Sequence, residues 1–165
     1  MDPSENTSVR AFLIFLLCEH CIESVFKEST ELLKDGSGLK LDDPLENLLL
    51  DKEISKFFLY WATELSFQYS TTIETGDSIN SIIISLFEEK YPIKFSEVEE
   101  YADIPDSSEK IQKFGKNISR TFDIHDAIVV YQLNIIMNAT LKAMIQSIST
   151  IFHTPSNEIR KMLQQ

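Results

Sequence analysis

Glycine, proline and cysteine are all scarce in this 165-residue sequence, which contains four glycines, five prolines and two cysteines. The four glycines form no glycine-rich loop of the kind that cradles a phosphate group. Few helix-breaking residues together with abundant apolar side chains favour a helix-rich globular protein. A chain of this length can bury a sizeable core without disulfides or metals.

Basic residues are outnumbered, 15 against 26 acidic residues, which gives a formal net charge of -11. An acidic surface repels the phosphates of nucleic acids, so we expect no nucleic-acid partner. The acidity is uneven, because residues 1–119 hold 23 acidic and 11 basic residues, whereas residues 120–165 hold 3 and 4. The end of the chain is therefore its near-neutral, apolar part.

Long hydrophobic runs are also lacking near the start of the chain. The apolar run at residues 11–18 is far shorter than the roughly 20 residues that cross a bilayer, and it has no cleavage pattern of a signal peptide. Cys18 and Cys21 are too close together and too few for a disulfide framework. We therefore expect a cytoplasmic or nuclear protein with no membrane partner.

Two clusters carry residues that are capable of chemistry. Cys18, His20 and Cys21 provide ligands of the kind that zinc prefers, but a closed site needs more ligands than this cluster offers. His125 lies between two aspartates that are able to orient an imidazole, yet no motif marks a nucleophile. We expect no catalytic, metal or cofactor site, and we interpret the cysteines as core or surface thiols.

Two segments favour extended structure. Residues 9–17 are apolar apart from Arg10, which suits a strand covered on both faces or the start of a buried helix. We favour the strand. Residues 39–42 are a candidate for a second short extended segment that would pair with it.

Apolar residues recur at helical spacing in several other segments. Asp43 is placed to cap one helix and Pro44 suits its first position, with a second start available at Asp51. The acidic segment 97–109 is predicted to be a solvated loop or a weak helix. The predicted helices cover residues 23–34, 54–65, 79–87, 122–152 with a break near residues 138–140, and 155–163.

The stretch LNIIMNATLKAMIQSISTIFHTPSNEIRKML, residues 133–163, resembles the carboxy-terminal part of the Skp1 family. These BTB/POZ-fold adaptors join F-box proteins to a cullin in SCF ubiquitin ligases. Asn134 falls on the Asn of the family's Ala-Asn-Tyr-Leu motif, Leu141 falls on a Leu of the family, and residues 158–161 fall on its Glu-Ile-Arg-Lys. The stretch ISKFFLYWATEL, residues 54–65, and residues 24–35 are similar to two further helices of the family.

The sequence departs from the family in several places. Residues 9–17 have no counterpart of the family's opening hairpin, residues 66–118 are long and different, and Ile135 replaces a tyrosine. Only residues 162–165 follow the Glu-Ile-Arg-Lys match, where the family has helices that grip the F-box. Contact with a cullin is therefore a better expectation than contact with an F-box.

The resemblance implies an α+β, helix-rich, BTB/POZ-like fold with a small sheet and a helical carboxy-terminal Skp1-type dimerisation unit. Residues 1–118 would form the BTB/POZ-like part with an acidic connector, and residues 119–165 the carboxy-terminal helices. The implied function is a non-catalytic adaptor that bridges a cullin and an F-box-like substrate receptor, and a homo-oligomer is compatible with it. The predicted partner-binding residues are Asn134, Ile135, Lys142, Ile159, Arg160, Met162 and Leu163.

An all-helical interaction or regulatory protein unrelated to ubiquitin is the alternative, with residues 122–152 as its central hairpin. In that case Ile135 would be a core residue, and the last helix would pack on its own domain. A structure without strand pairing between residues 9–17 and 39–42 would favour this alternative.

Overall fold

The computed structural model describes residues 3–39, 41–162 and 164. These residues contain no strand, so the predicted α+β fold with a small BTB/POZ-like sheet is wrong and the described chain is all-helical. A 3-10 turn at Phe95–Val98 precedes the fourth helix. The seven α-helices are α1 (Pro3–Ser37), α2 (Pro44–Tyr69), α3 (Ile73–Lys90), α4 (Glu99–Ala102), α5 (Ser107–Thr121), α6 (Ala127–His153) and α7 (Ser156–Met162).

Residues 9–17, which we predicted to be a strand, form part of α1. The buried positions Ile14, Cys18, Val25 and Leu33 continue one helical stripe along α1, since they recur at intervals compatible with 3.6 residues per turn. The predicted helix at residues 23–34 is confirmed as the second half of this helix. The apolar run was ambiguous because its own period does not distinguish a strand from a buried helix.

The connection from α1 to α2 is irregular rather than extended. Gly38 has a φ of 71°, in the left-handed region where glycine meets no steric penalty. Leu41 also has a positive φ of 52°, and its carbonyl oxygen accepts a hydrogen bond of 2.9 Å from the side chain of Asn47. The predicted second extended segment at residues 39–42 is therefore absent from the described residues.

Helix α2 lies at the centre of the fold. Asp43 caps it by accepting from the amide of Leu45 at 2.9 Å, and Pro44 is its first residue, as predicted. No new helix starts at Asp51, which lies inside α2. Residues 54–63 are buried without interruption, so neighbours cover this helix on every side. Those neighbours include α1, α3, α5, α6 and the 3-10 turn.

An aromatic cluster joins α4 and α5 to this central helix. Phe57 is fully buried, and its ring centroid lies 5.6 Å from Phe58, 5.5 Å from Tyr101 and 5.7 Å from Phe114. Aromatic rings at such separations add to the free energy gained from burial alone. The acidic segment 97–109 contains the short helix α4, as the weak-helix alternative predicted, and Val98 and Tyr101 anchor it to the core, whereas residues 105–109 are exposed.

A buried lysine reinforces the same junction. Lys56 of α2 is 8% exposed, and its Nζ lies 2.7 Å from Glu100 and 3.4 Å from Glu53. Burial acts to lower the pKa of Lys56, but the hydrogen bonds and charges of the two glutamates outweigh burial, so the pKa is raised. Asn117 of α5 donates to Glu53 at 3.2 Å and to Glu100 at 3.1 Å. The network therefore links α2, α4 and α5.

Helices α1 and α6 run antiparallel along their length. Arg10 near the start of α1 donates to the carbonyl oxygen of Thr154 at 3.0 Å, just beyond the end of α6. Near the other end of α1, Gly36 lies against the side chain of Val129. Helix α6 continues through residues 138–140 without the predicted break. The boundary proposed between residues 118 and 119 falls inside α5.

Candidate interaction surface

Helices α5 and α6 form a hairpin whose turn is fixed by hydrogen bonds. Asp106 caps α5 and Asp126 caps α6, each by accepting from the backbone amide two residues further on. In the turn, Asp123 has a φ of 55°, a conformation that aspartate tolerates better than most residues. The hydroxyl of Ser119 donates to the carbonyl oxygen of Ile124 at 2.6 Å, and the amide of Ile124 donates back to Ser119 at 2.9 Å.

The two helices approach closely where Gly115 faces Asn134. A Cβ atom on residue 115 would overlap the Oδ1 atom of Asn134 and lie 3.1 Å from its Cγ. A larger residue at position 115 would therefore require the side chain of Asn134 to move away from α5. Asn134 is half-buried, and its Oδ1 has no hydrogen-bond partner among the described residues.

Three large apolar side chains project from α6 beside this contact. Ile128 is 67% exposed, Tyr131 is 65% exposed and Ile135 is 50% exposed. Residues three, four and seven positions apart lie on one face of a helix, so the three form a continuous stripe that we call the α6 ridge. Asn138 and Lys142 continue the same face as exposed polar residues.

A cleft of about 300 Å³ lies between this ridge and α5. We call the ridge and the cleft together the α5–α6 surface. Caps, the turn and the Gly115–Asn134 contact position the two helices against each other, so the surface is formed by the chain itself without a partner. The residues that line the cleft are Ser108, Ile111, Gln112, Tyr131, Asn134, Ile135 and Asn138.

The charge around this surface differs from that of the whole chain. Residues 106–142, from the cap of α5 to Lys142 on α6, hold five basic and four acidic residues, although the chain carries a net charge of -11. Lys116 and Lys142 are exposed, whereas Lys110 is buried with its Nζ 5.2 Å from the ring centroid of Tyr60. The α5–α6 hairpin is therefore close to neutral within an acidic protein, and the residues that line its cleft carry no charge.

The structure divides the predicted partner-binding residues between two places. Asn134, Ile135 and Lys142 lie on the α5–α6 surface. Arg160 and Met162 are exposed on α7, which packs against α1 at the opposite end of α6.

Ile159 is the fully buried residue of α7, so it belongs to the chain's own core. Leu163 lies outside the described residues. The predicted set therefore does not form one continuous surface. Its α6 members lie beside the exposed apolar ridge, and its α7 members lie at the other end of the molecule.

Sequence reasoning gave Ile128 and Tyr131 no role, although their spacing places them on one helical face with Ile124 and Ile135. Ile124 is buried, but the other three are half exposed or more. The available signal was that α6 is apolar on more than one side. A helix has a limited number of neighbours, so a second apolar stripe marks either a buried helix or a binding surface.

The cysteine and histidine clusters are not assembled into sites. Cys18 and Cys21 are buried free thiols, and burial raises the pKa of both, that of Cys21 to about 11. Among the residues that the structure describes, no three potential metal ligands come together. His125 contacts Asp123 at 2.9 Å, and both side chains are almost fully exposed.

Helix α6 also has the length and composition of a membrane-spanning segment, the one described helix that does. Core helices of proteins that do not enter membranes meet the same two criteria. Helix α6 packs against α1, α5 and α2, but only 28% of its most apolar stretch is buried, so packing accounts for one face of the helix and leaves apolar surface on the others.

Taken together, the fold and the surface define an all-helical domain with a central buried helix and an exposed apolar ridge. No protein-family model, no curated protein and no solved structure matches the chain.

Proposed function

We propose that this chain is an all-helical protein-interaction module and that its α5–α6 surface binds a helical segment of a partner protein. The observation that carries the proposal is the α6 ridge, in which Ile128, Tyr131 and Ile135 are half exposed or more. Single exposed apolar residues need no explanation, but an aligned set beside a cleft marks an interaction site.

The shape of the surface favours a partner that is itself a helix. A ridge of side chains on one helix packs into the groove of another, and spaced apolar anchors supply most of the affinity. Tyr131 is of the residue type that is enriched among the energetically dominant positions of interfaces. Because the α5–α6 hairpin is already formed, binding here orders little of this chain and loses little free energy in doing so.

The charges select a partner segment that is acidic beside its apolar face. Lys142 is exposed on the same face of α6 as the ridge, and Lys116 is exposed on α5 outside the cleft lining, whereas the chain as a whole is acidic and repels such a segment. Electrostatic complementarity of this kind raises the association rate and fixes where the partner docks.

The cullin and F-box partners implied by the Skp1 resemblance stay predictions. The resemblance also implied a BTB/POZ-type sheet, which the described residues lack. A cullin amino-terminal region and an F-box protein are nevertheless well-defined candidates to include in a binding test, with a conventional Skp1 as the positive control.

The test compares two matched substitutions. Ile128→Lys alters the ridge, and Ile73→Lys is its control, because both isoleucines are 67% exposed and lie in the first turn of a helix. A second ridge variant, Ile135→Lys, is included, and the tagged wild-type chain and all three variants are used to purify partners from cells, with quantification by mass spectrometry. The enriched proteins, a cullin fragment and an F-box protein are then tested individually by calorimetry with the purified chain.

We expect Ile128→Lys and Ile135→Lys to lose the partner while the melting temperature stays within a few degrees of the wild type. The control Ile73→Lys should retain it. Loss of one interface anchor typically costs at least about 1.4 kcal/mol, which is about tenfold in affinity. Equal binding by wild type and both ridge variants would contradict the proposal.

A further inference from the structure

A second cleft, of about 460 Å³, opens where α1, α2 and the end of α3 meet, and it shares no residue with the α5–α6 surface. Its apolar lining comes from Ile22 and Phe26 of α1 and from Leu48 of α2. Leu48 is 47% exposed and Leu45, one turn earlier, is 58% exposed. The cleft therefore has an apolar lining with further apolar surface at its edge.

Two carboxylates without a cationic partner stand in the wall of this cleft. Glu23 and Asp51 line it, and neither forms an ion pair with a basic side chain in the described part of the protein. Lys90 also lines the cleft, but its ammonium group is paired with Glu19. The cleft therefore offers two carboxylates whose charge the chain itself does not neutralise.

The two carboxylates converge on Tyr91, whose side chain is buried at the same place. The pKa of Tyr91 is raised by burial and then by the charges of Asp51 and Glu23, among others. Asp51 is half-buried, and burial raises the pKa of its carboxyl. A positive group placed here would relieve the desolvation of Asp51 as well as gaining attraction from both acids.

The wider surroundings are acidic as well. Residues 19–51 contain nine acidic and three basic residues, whereas residues 106–142 around the α5–α6 surface are close to balanced. An apolar lining with acidic walls is complementary to a helix that carries leucine-like anchors on one face and lysine or arginine beside them.

We propose that this α1–α2–α3 cleft binds a basic amphipathic helical segment of a second partner protein. An apolar side chain of the segment would pack among Ile22, Phe26 and Leu48. Its lysine or arginine side chains would pair with the carboxylates of Glu23 and Asp51. The inference goes beyond the α5–α6 surface. The chain then carries two separate sites with opposite charge preferences, which is the arrangement that holds two different proteins together without chemistry.

A designed peptide provides the probe. It is a fluorescein-labelled amphipathic helix of about 18 residues, long enough to be partly helical in water, with leucines on one face and lysines on both flanks. A matched peptide has glutamate at every lysine position. Binding of each peptide to the full chain is followed by fluorescence anisotropy at two salt concentrations.

The key variant is the double substitution Glu23→Gln and Asp51→Asn. Its control is Glu74→Gln with Glu109→Gln, which changes the net charge by the same amount at exposed positions in the first turns of α3 and α5. Thermal melts of both variants verify that they fold. Removing the half-buried charge of Asp51 is expected to leave the fold intact, because that charge is desolvated.

We expect the lysine peptide to bind the wild type and the control variant alike, and the double cleft variant at least about tenfold more weakly, a difference of about 1.4 kcal/mol. The affinity for the wild type should fall with salt, and the glutamate peptide should not bind. Ile135→Lys should leave this binding unchanged, so failure of the α5–α6 proposal would be visible separately.

Three results would overturn the inference. The first is no binding of the lysine peptide to the wild type, and the second is equal binding to the double cleft variant. The third is a concentration-dependent dimer in sedimentation velocity that Asp51→Asn abolishes, because the cleft would then be occupied by a second copy of this chain.

Discussion

Phe57 lies at the centre of the aromatic cluster, so its truncation tests whether α2 is the central helix. The side chain is fully buried against Phe58 of the same helix, Tyr101 of α4 and Phe114 of α5. Phe57→Ala removes the ring and leaves a cavity that these helices cannot easily close. Substitutions of this kind cost about 3 to 5 kcal/mol, and we expect the upper half of that range.

The effect is large enough to measure in two ways. For a chain of this size, 1 kcal/mol corresponds to a shift in melting temperature of about 2 to 4 °C, so Phe57→Ala should lower it by roughly 8 to 20 °C. Urea denaturation followed by circular dichroism should show a lower midpoint with an unchanged slope.

Phe67→Ala is the matched control, because it makes the same chemical change on the same helix at a side chain that is 46% exposed. Partial burial of a phenylalanine predicts a loss of about 1 kcal/mol. If the two substitutions cost the same, α2 is not enclosed on all sides and the packing described above is incorrect.

Three further predictions concern the ion network, the buried acids and the helix contact. Lys56→Ala should cost about 3 to 5 kcal/mol in urea denaturation because two glutamates lose their cation, whereas Lys52→Ala at the surface should cost under about 1 kcal/mol, and equal losses would contradict this. The pKa of Cys21 is raised to about 11 and that of Tyr91 is raised as well, so both stay protonated in the folded chain when the unfolded chain ionises them. Their contribution is fully present below their ordinary values of 9.0 and 10.0 and is lost as pH rises above them, so the urea midpoint should be lower at about pH 10.5 than at about pH 7, and an equal midpoint would refute the assignment. Gly115→Val should force α5 and α6 apart, lower the stability by about 1 to 3 kcal/mol and weaken partner binding in calorimetry, and retention of both would show that the contact is unimportant.

Local signals in the sequence predicted some helix starts correctly and failed where burial was the only signal. Asp43 and Pro44 identify the start of α2 because capping depends on two adjacent residues. Residues 9–17 were misassigned because a continuous apolar run has no period of its own. The buried stripe that identifies α1 becomes apparent only when positions as far as Leu33 are included.

The candidate site was predicted in part. Ile135 and Lys142 came from the Skp1 resemblance, and both are exposed on α6. Ile128 could not be distinguished from a core residue, because periodicity shows that an apolar stripe exists and not which helix covers it. The same limit applies to Ile159, whose burial depends on a contact with α1 more than a hundred residues away in the sequence.

An NMR titration of isoleucine methyl groups with the partner recovered by the wild-type chain tests the role of the α5–α6 surface most directly. The methyl groups of Ile128 and Ile135 report on the α6 ridge. Ile73 reports on a position of α3 that is as exposed as Ile128, and Ile148 reports on the buried face of α6. We predict that the partner shifts the methyl signals of Ile128 and Ile135 and leaves those of Ile73 and Ile148 in place. Unchanged signals at the ridge, with a shift at Ile73 instead, would contradict the proposal that this chain holds its partner on the α5–α6 surface.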